Sequence, residues 1–221
     1  MQLVYTMSSD SSKKWLARQK KDRFVKQAQK EGVRSRAVYK IREIQNKYHC
    51  IKRGMRVLEL GAAPGSWTVD VAQWVGNSGQ VFAVDILPMQ AIDNVQTAQL
   101  DITSEEFTKW LKKTVAIEGV DIVLSDMAPN MSGHRQTDQL RSIGLCEVVT
   151  DIATDCLMHD GSLLMKTFQG LGFQELVANL RKDFKIVKLV KPEASKRSAS
   201  EVYVFAQGYL QNDKRLGDID E

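Results

Sequence analysis

At 221 residues and 43% hydrophobic, the chain has apolar material for one sizeable core, which favours one domain with a short appendage. No apolar run reaches bilayer-spanning length, residues 1–7 lack a signal peptide's features, and Cys50, Cys146 and Cys156 show no C-x-x-C spacing. Membrane, disulfide and zinc readings therefore fall away and a cytoplasmic protein is expected. The net charge of +4 hides an asymmetry: residues 1–56 hold 16 Lys/Arg against 4 Asp/Glu, leaving 15 against 23 in the other 165. A basic front end on a mildly acidic body suits a polyanionic partner such as a nucleic acid.

Residues 1–12, rich in serine, read as a disordered lead-in. From residue 13 to about residue 30 the pattern is helical and basic, stopping at Gly32. Ser35 is placed to cap a second helix, in which Val38, Ile41, Ile44 and Tyr48 recur at helical spacing while Arg36, Lys40, Glu43 and Lys47 take another face. These segments make residues 13–53 a basic helical extension.

From Gly54 the pattern changes. Strands are predicted at 56–60, 80–85, 95–100, 120–125, 162–167, 184–190 and 201–207, and helices at 66–75, 105–114, 138–158 and 173–182. Alternation of this kind predicts a doubly wound α/β domain over 54–210 with a mostly parallel sheet. The link from 190 to 201 is too loose and polar for a helix, so the last strand is predicted to return antiparallel. Residues 211–221 read as a polar tail.

Ligands of such sheets bind beyond the carboxyl ends of the strands. Gly61-Ala62-Ala63-Pro64-Gly65 follows the first strand directly, and its glycines let a ligand approach the backbone. The turn matches neither G-x-G-x-x-G nor a P-loop. Asp85, at the end of the second strand, suits a ribose diol, and Asp101, expected to end the third, suits an adenine amino group. Each alone reads equally well as a capping aspartate; together they predict a nucleoside pocket. Asp126-Met127-Ala128-Pro129 ends the fourth strand, between that pocket and any acceptor.

With these strings assembled, the chain resembles the FtsJ/RrmJ family of RNA 2′-O-methyltransferases from about residue 15 to 208. The resemblance rests on Leu60–Gly65, on Ser125-Asp126-Met127-Ala128-Pro129-Asn130-Met131-Ser132-Gly133, on Lys166-Thr167-Phe168-Gln169-Gly170, and on Lys191-Pro192 through Glu201-Val202-Tyr203. It implies a Rossmann-like S-adenosylmethionine-dependent methyltransferase fold, seven-stranded with an antiparallel last strand. It implies a catalytic set of Lys40, Asp126, Lys166 and Glu201, with Lys166 as proton acceptor. Donor contacts are implied at Gly61, Gly65, Trp67, Asp85, Asp101 and Asp126, with no metal. The implied substrate is a uridine ribose in large-subunit ribosomal RNA, met on the assembled subunit by a monomeric enzyme. Two departures stand out: Ser66 where many members have a second glycine, and Val38-Tyr39 in place of a more aromatic pair.

The chemistry explains these residue types. A ribose hydroxyl is a poor nucleophile until its proton is leaving, and an ordinary lysine, with a pKa of about 10.4, is a base only where its surroundings disfavour the ammonium. An antiparallel last strand begins at the edge where parallel strands end, so Glu201 is expected beside Lys166 and Asp126. Lys40 has two open roles, biasing Lys166 or grounding the target nucleotide. Residues 13–30, Arg34, Arg36 and the loop Ser195-Lys196-Arg197-Ser198 are expected to meet RNA phosphates. The same fold acting on proteins or small molecules would not need the basic front end, and a nicotinamide enzyme lacks its fingerprint. A purely RNA-binding module would leave the four-residue set unused.

Overall fold

Helix α1 (Arg23–Glu31) stops at Gly32, whose φ of +66° is a conformation that side-chain-bearing residues avoid. The computed structural model describes residues 23–130, 132–195 and 200–211, so the expectations for residues 1–22, 196–199 and 212–221 lie outside the described residues. Helix α2 (Val38–Tyr48) is entered through a turn in which Ser35 Oγ accepts the Ala37 N–H at 3.1 Å. The N-cap is Ala37, which has no side-chain cap, so Ser35 does not cap the helix as predicted but braces the turn ahead of it. His49, in the left-handed region, closes α2 by donating its N–H to Gln45 O.

The alternating body follows as β1 (Arg56–Leu60), α3 (Ser66–Val75), β2 (Gln80–Asp85), β3 (Val95–Gln99), α4 (Glu105–Trp110) and β4 (Val120–Ser125). Then come α5 (Arg135–Cys156), β5 (Leu157–Phe168), α6 (Phe173–Asp183), β6 (Phe184–Val190) and β7 (Glu201–Tyr209). The strands form one sheet in the order β3-β2-β1-β4-β5-β7-β6. β1 to β5 are mutually parallel, while β7 runs antiparallel to both β5 and β6, as the polar link ahead of it predicts. The chain switches direction across the sheet between β1 and β4, which places a crevice at their carboxyl ends.

Several boundaries differ from the sequence reading, three of them with consequences for the site or its supports. β5 starts at Leu157 rather than 162: Leu157 already pairs with Val120, and an irregularity around Asp160 (φ +63°) precedes the regular register from Ser162. That early strand ends α5 at Cys156. The helix expected over 105–114 is regular only to Trp110 and widens into a π-type turn over Leu111–Val115. Asp101 does not end a strand. β3 stops at Gln99, and Asp101 opens the next turn, its Oδ1 accepting from Thr103 N–H and Oγ and its carbonyl from Ser104 N–H.

Both sheet faces are covered. One packs Leu58, Leu60, Leu163, Met165 and Val204 against α4, α5 and α6. The other packs Val57, Ile122, Leu164, Tyr203 and Phe205 against Trp67 and Val71 of α3 and Ile41 and Ile44 of α2. α2 is thus part of the core, and its position sets that of Lys40.

Candidate active site

The register of β4, β5 and β7 decides which side chains meet. Ser125 pairs with Leu60 on one side and Met165 on the other, so Asp126 emerges at the sheet's carboxyl edge beside Lys166. Lys166 pairs directly with Tyr203, and Phe168 with Glu201. Directly opposed antiparallel residues share a face, as do residues two apart on one strand. Lys166, Tyr203 and Glu201 therefore all face the side on which α2 packs, and α2 supplies Lys40.

The resulting cluster is tight. Lys166 Nζ lies 3.1 Å from Asp126 Oδ1 and also donates to the Asp126 main-chain oxygen. Lys40 Nζ lies 2.8 Å from Glu201 Oε1 and 3.8 Å from Asp126 Oδ1. The Tyr203 hydroxyl donates to Asp126 Oδ1, and its ring lies under Lys40, 5.5 Å from Nζ. Both lysine side chains are 10% exposed, so the pairing takes place largely out of water. Burial alone would raise the Glu201 carboxyl, but the charge and hydrogen bond of Lys40, the Ser195 hydroxyl and the Lys166 charge outweigh it and hold its pKa below the ordinary value. Burial and the facing carboxylates Asp126 and Glu201 push the Tyr203 phenol well above its ordinary range, so it stays a donor.

Beside this cluster opens a cleft of about 600 Å³, lined by Gly61, Asp85, Ile86, Leu100, Asp101, Ile102, Met127, Pro129 and Leu145 among others. Two glycines are structurally required at its edge. Gly61 has φ +75°, and a Cβ there would come within 2.1 Å of Met127 Cγ; at Gly65, φ +91°, a Cβ would meet the Arg34 guanidinium at 2.4 Å. Asp85 braces the same loop, its Oδ2 accepting from Ala63 N–H at 2.9 Å and its Oδ1 from Leu87 N–H at 2.8 Å. Each oxygen keeps a lone pair for a ligand. Asp101 is held below the ordinary carboxylate range by its bonds from Thr103. Under the loop lies Glu59, which burial and the nearby Asp126 and Asp85 push up to about 8 against a single relieving bond from Thr68. Its Oε2 has no hydrogen-bond partner among the described residues.

The FtsJ-like methyltransferase family model matches residues 33–209. The chain belongs to that family. Ribosomal RNA large subunit methyltransferase E of Acinetobacter baylyi is 47% identical over 200 residues, 90% of this chain and 93% of that protein. The protein of the same name from Bradyrhizobium sp. is 46% identical over 202 residues, covering 90% and 87%. A solved chain described as a ribosomal RNA methyltransferase of Plasmodium falciparum superposes with a TM-score of 0.73 at 28% identity, covering 80% of this chain and 98% of that one.

In this FtsJ-like methyltransferase, then, Lys40, Asp126, Lys166 and Glu201 meet around one point, while Gly61, Asp85 and Asp101 line the adjoining cleft. Trp67 stands apart from the cleft. Its indole N–H donates to Ala37 O at 2.8 Å and its ring packs 5.9 Å from that of Tyr203, so it ties α3 to α2 and β7. Gly65 shapes the loop without lining the cleft. Ser66 opens α3 with its buried hydroxyl unpartnered among the described residues. Arg34 is exposed and donates to Pro64 O, whereas Arg36 is half-buried and donates to Ala194 O.

Sequence reasoning passed over Tyr203 and Glu59 as site residues and placed Ser195 in the RNA-facing loop, whereas its hydroxyl turns inward to Glu201. Tyr203 carried a readable signal, because it stands two residues after Glu201 on one strand and so shares its face. No three His, Cys, Asp or Glu among the described residues are grouped to hold a metal, and no helix among them is long and apolar enough to cross a membrane.

Proposed function

We propose that this methyltransferase moves a methyl group from S-adenosylmethionine to the 2′-hydroxyl of a uridine ribose in large-subunit ribosomal RNA, with Lys166 as the base. The observation that carries this reading is that both amines, Lys166 and Lys40, approach Asp126 Oδ1 while Lys40 also pairs with Glu201, at the mouth of a nucleoside-sized cleft. The residues present fit the donor. Asp85 and Asp101 offer free lone pairs to ribose and adenine, Ile86, Leu100, Ile102 and Leu145 offer apolar walls, and the glycine loop admits a close approach. Trp67, with its indole engaged elsewhere, is left to act through its backbone. When bound, the donor supplies an electrophilic methyl on a positively charged sulfur.

The chain's own groups handle the proton. A neutral lysine amine has two N–H bonds and one lone pair. Asp126 offers two acceptors to Lys166 Nζ, its main-chain oxygen and Oδ1, so both hydrogens are taken and the lone pair is left for the ribose hydroxyl. Asp126 thus aims the base, and the Tyr203 hydroxyl aims Asp126. Lys166 Nζ would take the hydroxyl proton as the ribose oxygen accepts the methyl group. Lys40, neutralised by Glu201, presents its remaining hydrogens to the incoming nucleotide.

On the substrate side, Arg23, Lys26 and Lys30 share a face of α1 at helical spacing, and Lys26 and Lys30 are exposed. Together with exposed Arg34 they form a phosphate-facing rim of the extension over 13–53. The names of the relatives point to the large subunit, and the assembled particle would supply the RNA shape that phosphate contacts alone cannot read. One chain supplies every group of the cluster, which supports a monomeric enzyme.

Lys166→Ala tests the reading: methyl transfer to RNA should fall at least ~1,000-fold while calorimetric donor affinity stays within about threefold. Turnover near wild type would remove Lys166 from the mechanism.

A further inference from the structure

The turn over residues 192–195, between β6 and β7, is gripped from the front end of the chain. Arg23 pairs with Glu193 at 3.2 Å, Glu43 Oε2 accepts the Glu193 N–H at 2.7 Å, and the Arg36 guanidinium donates to the Ala194 carbonyl. Ala194 itself is buried with Ala28, Val38 and Tyr39 of the two N-terminal helices. The next residue, Ser195, is buried, and its Oγ donates to Glu201 Oε1 at 2.6 Å. The same oxygen receives Lys40 at 2.8 Å.

We propose that Ser195 is a positioning residue for methyl transfer: it fixes the Glu201 carboxylate, which in turn fixes Lys40, and the turn that carries it joins this arrangement to the α1–α2 surface. The inference rests on the methyl-transfer reading above. A carboxylate with one cationic partner can rotate about its own axis and swing that partner with it. A second donor on the same oxygen removes that freedom, and Ser195 is the second donor. Because Arg36 and Glu43 hold the turn's backbone while Arg23 and Ala28 of α1 hold Glu193 and Ala194, displacement of α1 or of the turn before α2 moves the Ser195 hydroxyl relative to Glu201. A nucleotide chain engaging that surface therefore acts on the catalytic cluster through a contiguous set of contacts.

A structural role, in which Ser195 merely pins the turn to β7, makes different predictions. The groups facing Glu201 are Lys40 from α2, Lys166 from β5, Arg36 from the turn before α2, and Tyr203 and Asp126 across the cluster. The test compares wild type, Ser195→Ala, Ser195→Thr, Glu201→Gln and Ser195→Ala/Glu201→Gln. The first readout is the Glu201 carboxyl titration by ¹³C NMR in the donor-free chain; the second is kcat and KM with ribosomal subunits that lack the modification. Removing the hydroxyl should move the Glu201 titration upward, lower kcat about tenfold with KM for the subunit within about twofold, and be restored by threonine. It should add nothing on top of Glu201→Gln. An unmoved titration, or a kcat loss that multiplies fully with that of Glu201→Gln, overturns the proposal. The titration reads Ser195's grip on Glu201 even if wild type methylates no RNA, so failure of the activity reading is distinguishable from failure of this one.

Discussion

Replacing Glu59 by glutamine keeps the side chain's shape and removes its titration, which gives the donor loop a quantitative test. Glu59 is fully buried in β1, has one oxygen without a partner among the described residues, and faces the charges of Asp126 and Asp85. Burial first, then those carboxylates, lift its pKa from 4.5 to about 8. In the unfolded chain the carboxyl ionises near 4.5; in the folded chain it holds its proton to about 8. The folded state therefore binds more protons across that window, and stability falls as pH rises through it. At about 1.36 kcal/mol per pKa unit, this group should cost about 3 kcal/mol between pH 5 and 7.5. Urea unfolding of donor-free protein, followed by tryptophan fluorescence, measures it. The stability of wild type relative to Glu59→Gln should drop by about 3 kcal/mol over that range, because other titrating groups cancel in the difference. A pH-independent difference would refute the assignment of a neutral, uncompensated acid beneath the loop.

Tyr203→Phe removes the hydroxyl on Asp126 Oδ1 but keeps the ring against Trp67 and Lys40, so steady-state kcat should fall about tenfold while donor affinity holds; unchanged kcat would show that Lys166 and Lys40 fix Asp126 unaided. Gly61→Ala forces a side chain into the left-handed region and against Met127, which should cost roughly 1–2 kcal/mol in urea unfolding and weaken donor binding at least ~10-fold by calorimetry. Arg34→Ala should leave kcat with saturating subunit near wild type and raise KM, with a weaker dependence of KM on salt if Arg34 meets a phosphate.

The sheet was legible because its strands are short apolar runs with sharp polar ends: 56–60, 80–85, 120–125 and 184–190 fall where the pattern puts them. The reversed direction of β7 was readable from the polar link ahead of it, and that direction alone brings Glu201 to the edge where Lys166 and Asp126 stand. Boundaries failed where tertiary pairing overrode local pattern, as when Val120 captures Leu157 and cuts α5 short. At the site, residue types were readable but orientations were not. The family resemblance implies Trp67 as a donor contact, yet Ala37, 30 residues away, claims its indole. Ser195 reads as part of a basic RNA loop, and only the fold reveals that its hydroxyl turns inward to Glu201. Glu59 looks like an ordinary strand residue until burial on both sides of the sheet removes its solvent.

The central claim, transfer to a ribose hydroxyl aimed by Asp126 and deprotonated by Lys166, is tested most directly by the position of the new methyl group. Ribosomal large subunits lacking the modification would be incubated with enzyme and methyl-labelled S-adenosylmethionine, and the RNA hydrolysed with alkali and mapped. A 2′-O-methyl group blocks cleavage of the following phosphodiester, so the account predicts label in one alkali-resistant dinucleotide beginning with uridine. Label on a base, released as an ordinary mononucleotide, would contradict it.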